Sequence, residues 1–257
     1  MKFLAALKFL TIIPLLSKRE DSLEEIGGSI VYYPVVGLII GIILAALNWL
    51  FGLLLPRAVA DGLLIVSVVI ISGALHLDGF IDTCDGIAGH KPVEARWQVM
   101  HDSRTGSFGV VGAVLLLLVK YVSLNSIPAG LLAATLMLMP VLSRWAMVYA
   151  IFAYPYARPE GLGKTIKQAA TWQRFTVATA IALALAIGLA RLAGISYFYL
   201  AGPAIMLGIW VIITVVASYF KRMFAGLTGD TYGATNEIAE VGVLLLIILL
   251  AHNHWLI

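Results

Sequence analysis

The chain has 257 residues, of which 61% are hydrophobic and 12% charged, and its formal net charge is +3. Soluble domains average about 45–50% apolar and about 25% charged, so this composition excludes an ordinary soluble fold and suits a chain surrounded by lipid. The small, dispersed positive charge argues against a nucleic-acid partner, and a single cysteine, Cys84, excludes an internal disulfide framework.

The first ten residues, Met1-Lys-Phe-Leu-Ala-Ala-Leu-Lys-Phe-Leu10, faintly resemble a signal peptide. Lys8 interrupts the apolar run, Pro14 follows, and no small-residue cleavage site precedes the charged stretch 18–25. This segment is expected to be an interfacial or re-entrant helix that stays attached. A spanning helix needs about 20 mostly apolar residues. Seven segments qualify, roughly 29–53, 59–77, 106–125, 128–153, 175–194, 197–220 and 238–257. No internal repeat and no low-complexity tract separates them. The expected fold is an all-α integral membrane protein, one domain over 1–257, with a polytopic bundle of about seven transmembrane helices.

With the N-terminus on the cytoplasmic side, thirteen basic residues fall in inner segments, among them Lys2, Lys8, Lys18, Arg19, Lys91, Arg158, Lys164 and Arg222. Only Arg57 and Arg191 fall outside, while Lys120 and Arg144 lie within spans. That asymmetry predicts a multi-pass inner-membrane protein with its N-terminus inside. Of the fourteen acidic residues only Asp61 falls outside, so the charged chemistry gathers on one face. Glu20, Asp21, Glu24, Glu25 and Glu160 are read equally well as carboxylates that solubilise the inner loops.

Asp78, Asp82 and Asp85 are spaced i, i+4, i+7. If the second span continues as a helix into the cytoplasm, they stack on one face. Three like charges held together call for a cation, and all-oxygen ligands suit Mg²⁺ or Mn²⁺. The alternative is a solvated face neutralised by Lys91 and Arg96. Gly79 and Gly86 would let a bulky anionic substrate approach the backbone. In Met100-His-Asp-Ser-Arg-Thr-Gly-Ser-Phe-Gly109, Asp102 can bind metal and Arg104 can bind phosphate. The backbone N–H groups of Gly106 and Gly109 can cradle a phosphate at the start of the third span. Arg144, deep in the fourth span, faces either this metal–phosphate cavity or a structural carboxylate partner. Asp230, Glu237 and Glu240 share a second acidic stripe that enters the seventh span. His76 and His101 flank the acidic runs as proton carriers or as hydrogen-bonded interface residues.

Several stretches together resemble the adenosylcobinamide-GDP ribazoletransferase (cobalamin 5′-phosphate synthase) family. They are Tyr32-Tyr-Pro-Val-Val-Gly37, Leu75-His-Leu-Asp-Gly-Phe-Ile-Asp-Thr-Cys-Asp-Gly86, Met100-His-Asp-Ser-Arg-Thr-Gly106, Glu160-Gly-Leu-Gly163 and Leu227-Thr-Gly-Asp-Thr-Tyr-Gly-Ala234. The resemblance implies transfer of the adenosylcobinamide phosphoryl group from its GDP adduct to α-ribazole or its 5′-phosphate, with release of GMP. It implies Mg²⁺ held by Asp78, Asp82, Asp85 and Asp102, and phosphates contacted by Arg104 and Arg144. Asp230 with Glu237 would complete the metal site or orient the ribazole, and Asp102 would take the proton of the attacking hydroxyl. The expected partners are these two substrates and the lipid bilayer, with no nucleic acid, and an oligomer is compatible with the sequence. Two other readings stand beside this one. One is an ion-coupled transporter using the same aspartates, which predicts broken helices and an inverted repeat. The other is a lipid head-group transferase similar to the CDP-alcohol phosphotransferases, suggested by Asp82-Thr-Cys-Asp-Gly86.

Overall fold

The structure is a computed structural model describing residues 1–14, 21–89 and 92–255. Lys18, Arg19, Glu20 and Lys91, which entered the charge reading above, lie outside the described residues, as do Leu256 and Ile257. The helices are α1 (Lys2–Leu10), α2 (Leu23–Gly28), α3 (Tyr33–Leu54), α4 (Arg57–Ile71), α5 (Leu75–Ile87), α6 (Val93–His101), α7 (Ser107–Ser126), α8 (Ala129–Ala153), α9 (Leu162–Ala169), α10 (Trp172–Leu192), α11 (Phe198–Phe224) and α12 (Gly229–His252).

Local chemistry sets the helix boundaries. Pro56, Pro92 and Pro128 stand immediately before α4, α6 and α8, where a fixed φ suits a helix start and no N–H is missed. Thr228 and Thr231 cap α12 reciprocally: the Thr228 hydroxyl accepts the Thr231 N–H at 3.3 Å, and the Thr231 hydroxyl accepts the Thr228 N–H at 2.7 Å.

Six stretches are long and apolar enough to cross a bilayer: Leu23–Leu54, α7, α8, α10, α11 and α12. A seventh exists only if α4 and α5 are counted as one path, and these two are bent by 89°. The second predicted span therefore does not run straight on as the sequence suggested. Gly73 and Ala74 both take positive φ, 60° and 56°, and turn the chain. The last span also starts earlier than expected, at Gly229, so its acidic stripe belongs to the spanning helix itself.

Helix α8 is the hub, with α3, α10 and α12 packed around it. Gly37 and Gly41 lie directly on the α8 backbone at Pro140, Val141 and Met137, the close approach that small residues four apart allow between membrane helices. Outward-facing side chains are apolar and fall on single stripes. Val110, Val114 and Leu118 on α7 and Leu207, Val211 and Val215 on α11 are all exposed, as lipid contact requires. The N-terminal helix α1 packs against α2, α3 and the 3₁₀ turn Ser29–Tyr32. The Ile12 N–H then bonds to the Ile71 carbonyl at 2.8 Å, at the end of α4.

Asp61 marks one end of the bundle. It is fully buried and receives Arg57 Nε at 3.3 Å and Asn125 Nδ2 at 2.9 Å. The acidic residues discussed below lie toward the other end or deep within the bundle.

Candidate functional site

The turn at Gly73–Ala74 delivers α5 against the first turns of α7 and α12. Gly79 makes this possible, because a Cβ there would stand 2.7 Å from the Asp230 carbonyl oxygen and 3.0 Å from its Cα. Gly86 similarly faces the side chains of Met100 and Phe224. Both glycines, expected to admit a substrate, are thus in contact with protein.

The three aspartates of the stripe separate in role. Asp85 is buried, and its carboxylate accepts the Gly106 N–H at 2.7 Å and the Gly109 N–H at 2.8 Å. The helix start that looked ready for a phosphate already holds an anion, supplied by the protein itself. Asp78 and Asp82 have no hydrogen-bond donor on them among the described residues. Asp78 lines a cavity of about 210 Å³ whose walls include His76, Asp230 and Tyr232. Asp82 lies one helical turn after Asp78 on α5. Among the described residues, no three His, Cys, Asp or Glu side chains are gathered tightly enough to hold a metal ion.

Asp102 and Arg104 pair locally on the exposed loop between α6 and α7. Arg104 donates from its backbone N–H and its guanidinium, with Nη2 at 2.7 Å. These hydrogen bonds hold the Asp102 carboxyl down at about 2. Asp102 lies on the wall of a wide, open cavity of about 630 Å³, together with Trp97, His101 and Arg158.

Arg158 was counted in the sequence only as a positive loop charge. In the structure its Nη2 donates to Asp230 Oδ2 at 2.9 Å, which places the guanidinium between the open cavity and the enclosed one. The backbone explains the placement: Ala157 N–H bonds to the Leu227 carbonyl and Leu227 N–H to the Pro155 carbonyl, each at 2.8 Å. Arg158 directly precedes the Pro-Glu-Gly-Leu-Gly run, and that adjacency was the one signal available.

Glu237 and Arg144 lie in a different place from the carboxylates above. Both are buried in the bundle, where Lys120 Nζ donates to Glu237 and Glu240, and Arg144 Nη1 donates to Glu240 and to the Ser143 hydroxyl. The two cations and two anions balance, so of the two readings of Arg144 the geometry displays the carboxylate pair. Lys120, noted in the sequence only as lying within a span, is the fourth member. Among the described residues, neither Arg144 nor Glu237 lines either of the two cavities above.

The fold and this carboxylate-walled pair of cavities define a polytopic α-helical membrane protein with a polar site at one end of its bundle. A family model described as Cobalamin-5-phosphate synthase matches residues 2–248, and the chain belongs to that family. Relatives named adenosylcobinamide-GDP ribazoletransferase include one from Desulforamulus reducens, 36% identical over 246 residues, covering 95% of this chain and 94% of the relative. Another, from Roseiflexus sp., is 38% identical over 236 residues, covering 92% and 85%. A third, from Geotalea daltonii, is 36% identical over 239 residues, covering 93% of each. No solved structure matches this chain.

Proposed function

We propose that this protein transfers the adenosylcobinamide phosphoryl group of adenosylcobinamide-GDP to a ribose hydroxyl of α-ribazole or its 5′-phosphate, releasing GMP. The observation that carries the reading is the junction of the two cavities. There, Asp78 lacks a hydrogen-bond partner among the described residues and Asp230 bridges to Arg158, while Asp82, also without one, stands one helical turn further along α5.

Phosphoryl transfer needs positioning and charge neutralisation more than covalent help from the protein. Asp78 and the free Oδ1 of Asp230 are hard oxygen donors on one cavity wall, and they suit Mg²⁺ or Mn²⁺. Bound there, such an ion would neutralise charge on the transferring phosphoryl oxygens. Asp85 and Asp102 are weaker choices as ligands than the sequence implied, because both are already engaged by N–H donors. Arg158 supplies a guanidinium for the diphosphate of the donor. The new P–O bond forms as the P–O bond to GMP breaks, GMP leaves as the anion, and the hydroxyl proton passes to a carboxylate. Asp82, whose carboxylate carries no hydrogen-bond donor among the described residues, is the better acceptor, and Asp102, held at about 2 by Arg104, the poorer one.

The excess of basic residues on the site's side of the bundle supports an orientation with the site facing the cytoplasm in an inner membrane. The break between α4 and α5 is a feature an ion-coupled transporter would share, but family membership favours transfer. The test is GMP release by the purified full-length protein from adenosylcobinamide-GDP, with and without α-ribazole and Mg²⁺. Release that depends on both supports the reading, and its absence with an intact fold overturns it.

A further inference from the structure

The enclosed cavity of about 210 Å³ has a composition that specifies part of a ligand. Its inner wall carries apolar side chains, among them Phe9, Met147, Ile151 and Ile166. Three buried polar groups interrupt that wall, the Tyr33 and Tyr232 hydroxyls and Nε2 of His76. The residues are 0%, 4% and 1% exposed, and none of these atoms has a hydrogen-bond partner among the described residues. A buried polar group left unpaired costs about 1–3 kcal/mol, so three of them in one cavity are expensive unless a ligand completes at least some of them. Asp78 and Asp230 also line this space.

We propose that this cavity receives the aromatic base of the acceptor nucleoside, with its ribose directed toward the end of the cavity that Asp78 and Asp230 line. This assignment rests on the transfer reaction proposed above. The volume lies below the roughly 300–1,000 Å³ of pockets that enclose a whole drug-sized ligand, so the cavity takes a fragment and excludes a corrin ring. Guanine, the other flat base in the reaction, is tied to the diphosphate, and the guanidinium that suits the diphosphate, Arg158, lines the open cavity and not this one. A benzimidazole joined to ribose through one nitrogen offers a single lone-pair nitrogen and otherwise apolar edges. One donor from Tyr232, Tyr33 or His76 satisfies it, and the apolar wall covers the rest. The donor nucleotide is left to the open cavity beside Arg158.

Three full-length variants in detergent test the assignment: Tyr232→Phe, His76→Asn and Ile151→Phe. α-Ribazole binding is measured by equilibrium dialysis, steady-state KM for each substrate separately, and the melting temperature without ligand. Tyr232→Phe is expected to weaken α-ribazole binding by about 2- to 12-fold, the worth of one hydrogen bond, with the KM for adenosylcobinamide-GDP unchanged. Its ligand-free melting temperature should hold or rise, because the removed hydroxyl had no partner. His76→Asn should shift the same constant. Ile151→Phe fills the cavity and should weaken α-ribazole more than either; if overpacking unfolds it, Tyr232→Phe decides. Unchanged α-ribazole binding in Tyr232→Phe and His76→Asn, or a rise in the donor's KM instead, overturns the pocket assignment. If wild-type protein binds no α-ribazole and releases no GMP, the transfer reaction itself fails. Wild-type turnover with variants that affect only the donor sinks the pocket alone.

Discussion

Arg158 Nη2 donates to Asp230 Oδ2 at 2.9 Å across 72 residues of chain. This bond joins the α8–α9 connection to the first turn of α12, and with it the open cavity to the enclosed one. If the guanidinium neutralises the donor's diphosphate, Arg158→Gln should lower kcat/KM by about 10²–10³-fold, as removal of a charge-stabilising donor does elsewhere. Arg158→Lys should recover only part, because the planar fork is lost. Full activity in the glutamine variant would remove Arg158 from the reaction.

Asp78 and Asp82 differ from Asp85 in a way that amide substitution exposes. Asp78→Asn and Asp82→Asn should abolish turnover while the protein inserts, purifies and melts normally. Asp85→Asn should lower stability by about 1–3 kcal/mol, because one buried N–H at the start of α7 loses its charged acceptor. Melting and turnover on all three separate the roles. A stable but inactive Asp85→Asn would make Asp85 a direct participant and not the brace described here.

Lys120, Glu237, Glu240 and Arg144 form a balanced buried set, and removing one member leaves a charge without its partner. Lys120→Met or Arg144→Ala should each cost about 3–5 kcal/mol. Combining Lys120→Met with Glu237→Gln should cost less than the two single losses summed. Additive losses in a double-mutant cycle would show that the charges do not act as a unit. Arg144→Lys also probes the substrate role expected from the sequence, for it should retain turnover if pairing with Glu240 is what matters.

The orientation is checked with single cysteines after Cys84 is replaced. One at Lys164 should resist an impermeant thiol reagent in intact cells, and one at Asn253 should react. The opposite pattern would invert the topology.

Much of the fold was legible because apolar runs of about 20 residues have few other uses, and basic residues cluster at one set of span ends. The 89° turn was not, because Gly73 sits inside a run whose hydropathy barely changes. The crowding of carboxylates was readable from the i, i+4, i+7 spacing, but which ones were already engaged was not. Asp85 is tied to Gly106 and Gly109, 21 and 24 residues on, and periodicity carries no information about such partners. Arg158 escaped for the same reason. Arg144 stood out as an arginine within a span, yet its partner Glu240 lies 96 residues away.

The balanced charges in the bundle also bear on how the chain is made. Lys120 and Arg144 belong to α7 and α8, and their counter-ions arrive only with α12, about a hundred residues later. A membrane-buried cation without its partner costs roughly 2.5–3.5 kcal/mol on insertion scales, so a chain that ends before Glu237 carries two such uncompensated cations, and the last helix to be synthesised is the one that neutralises them.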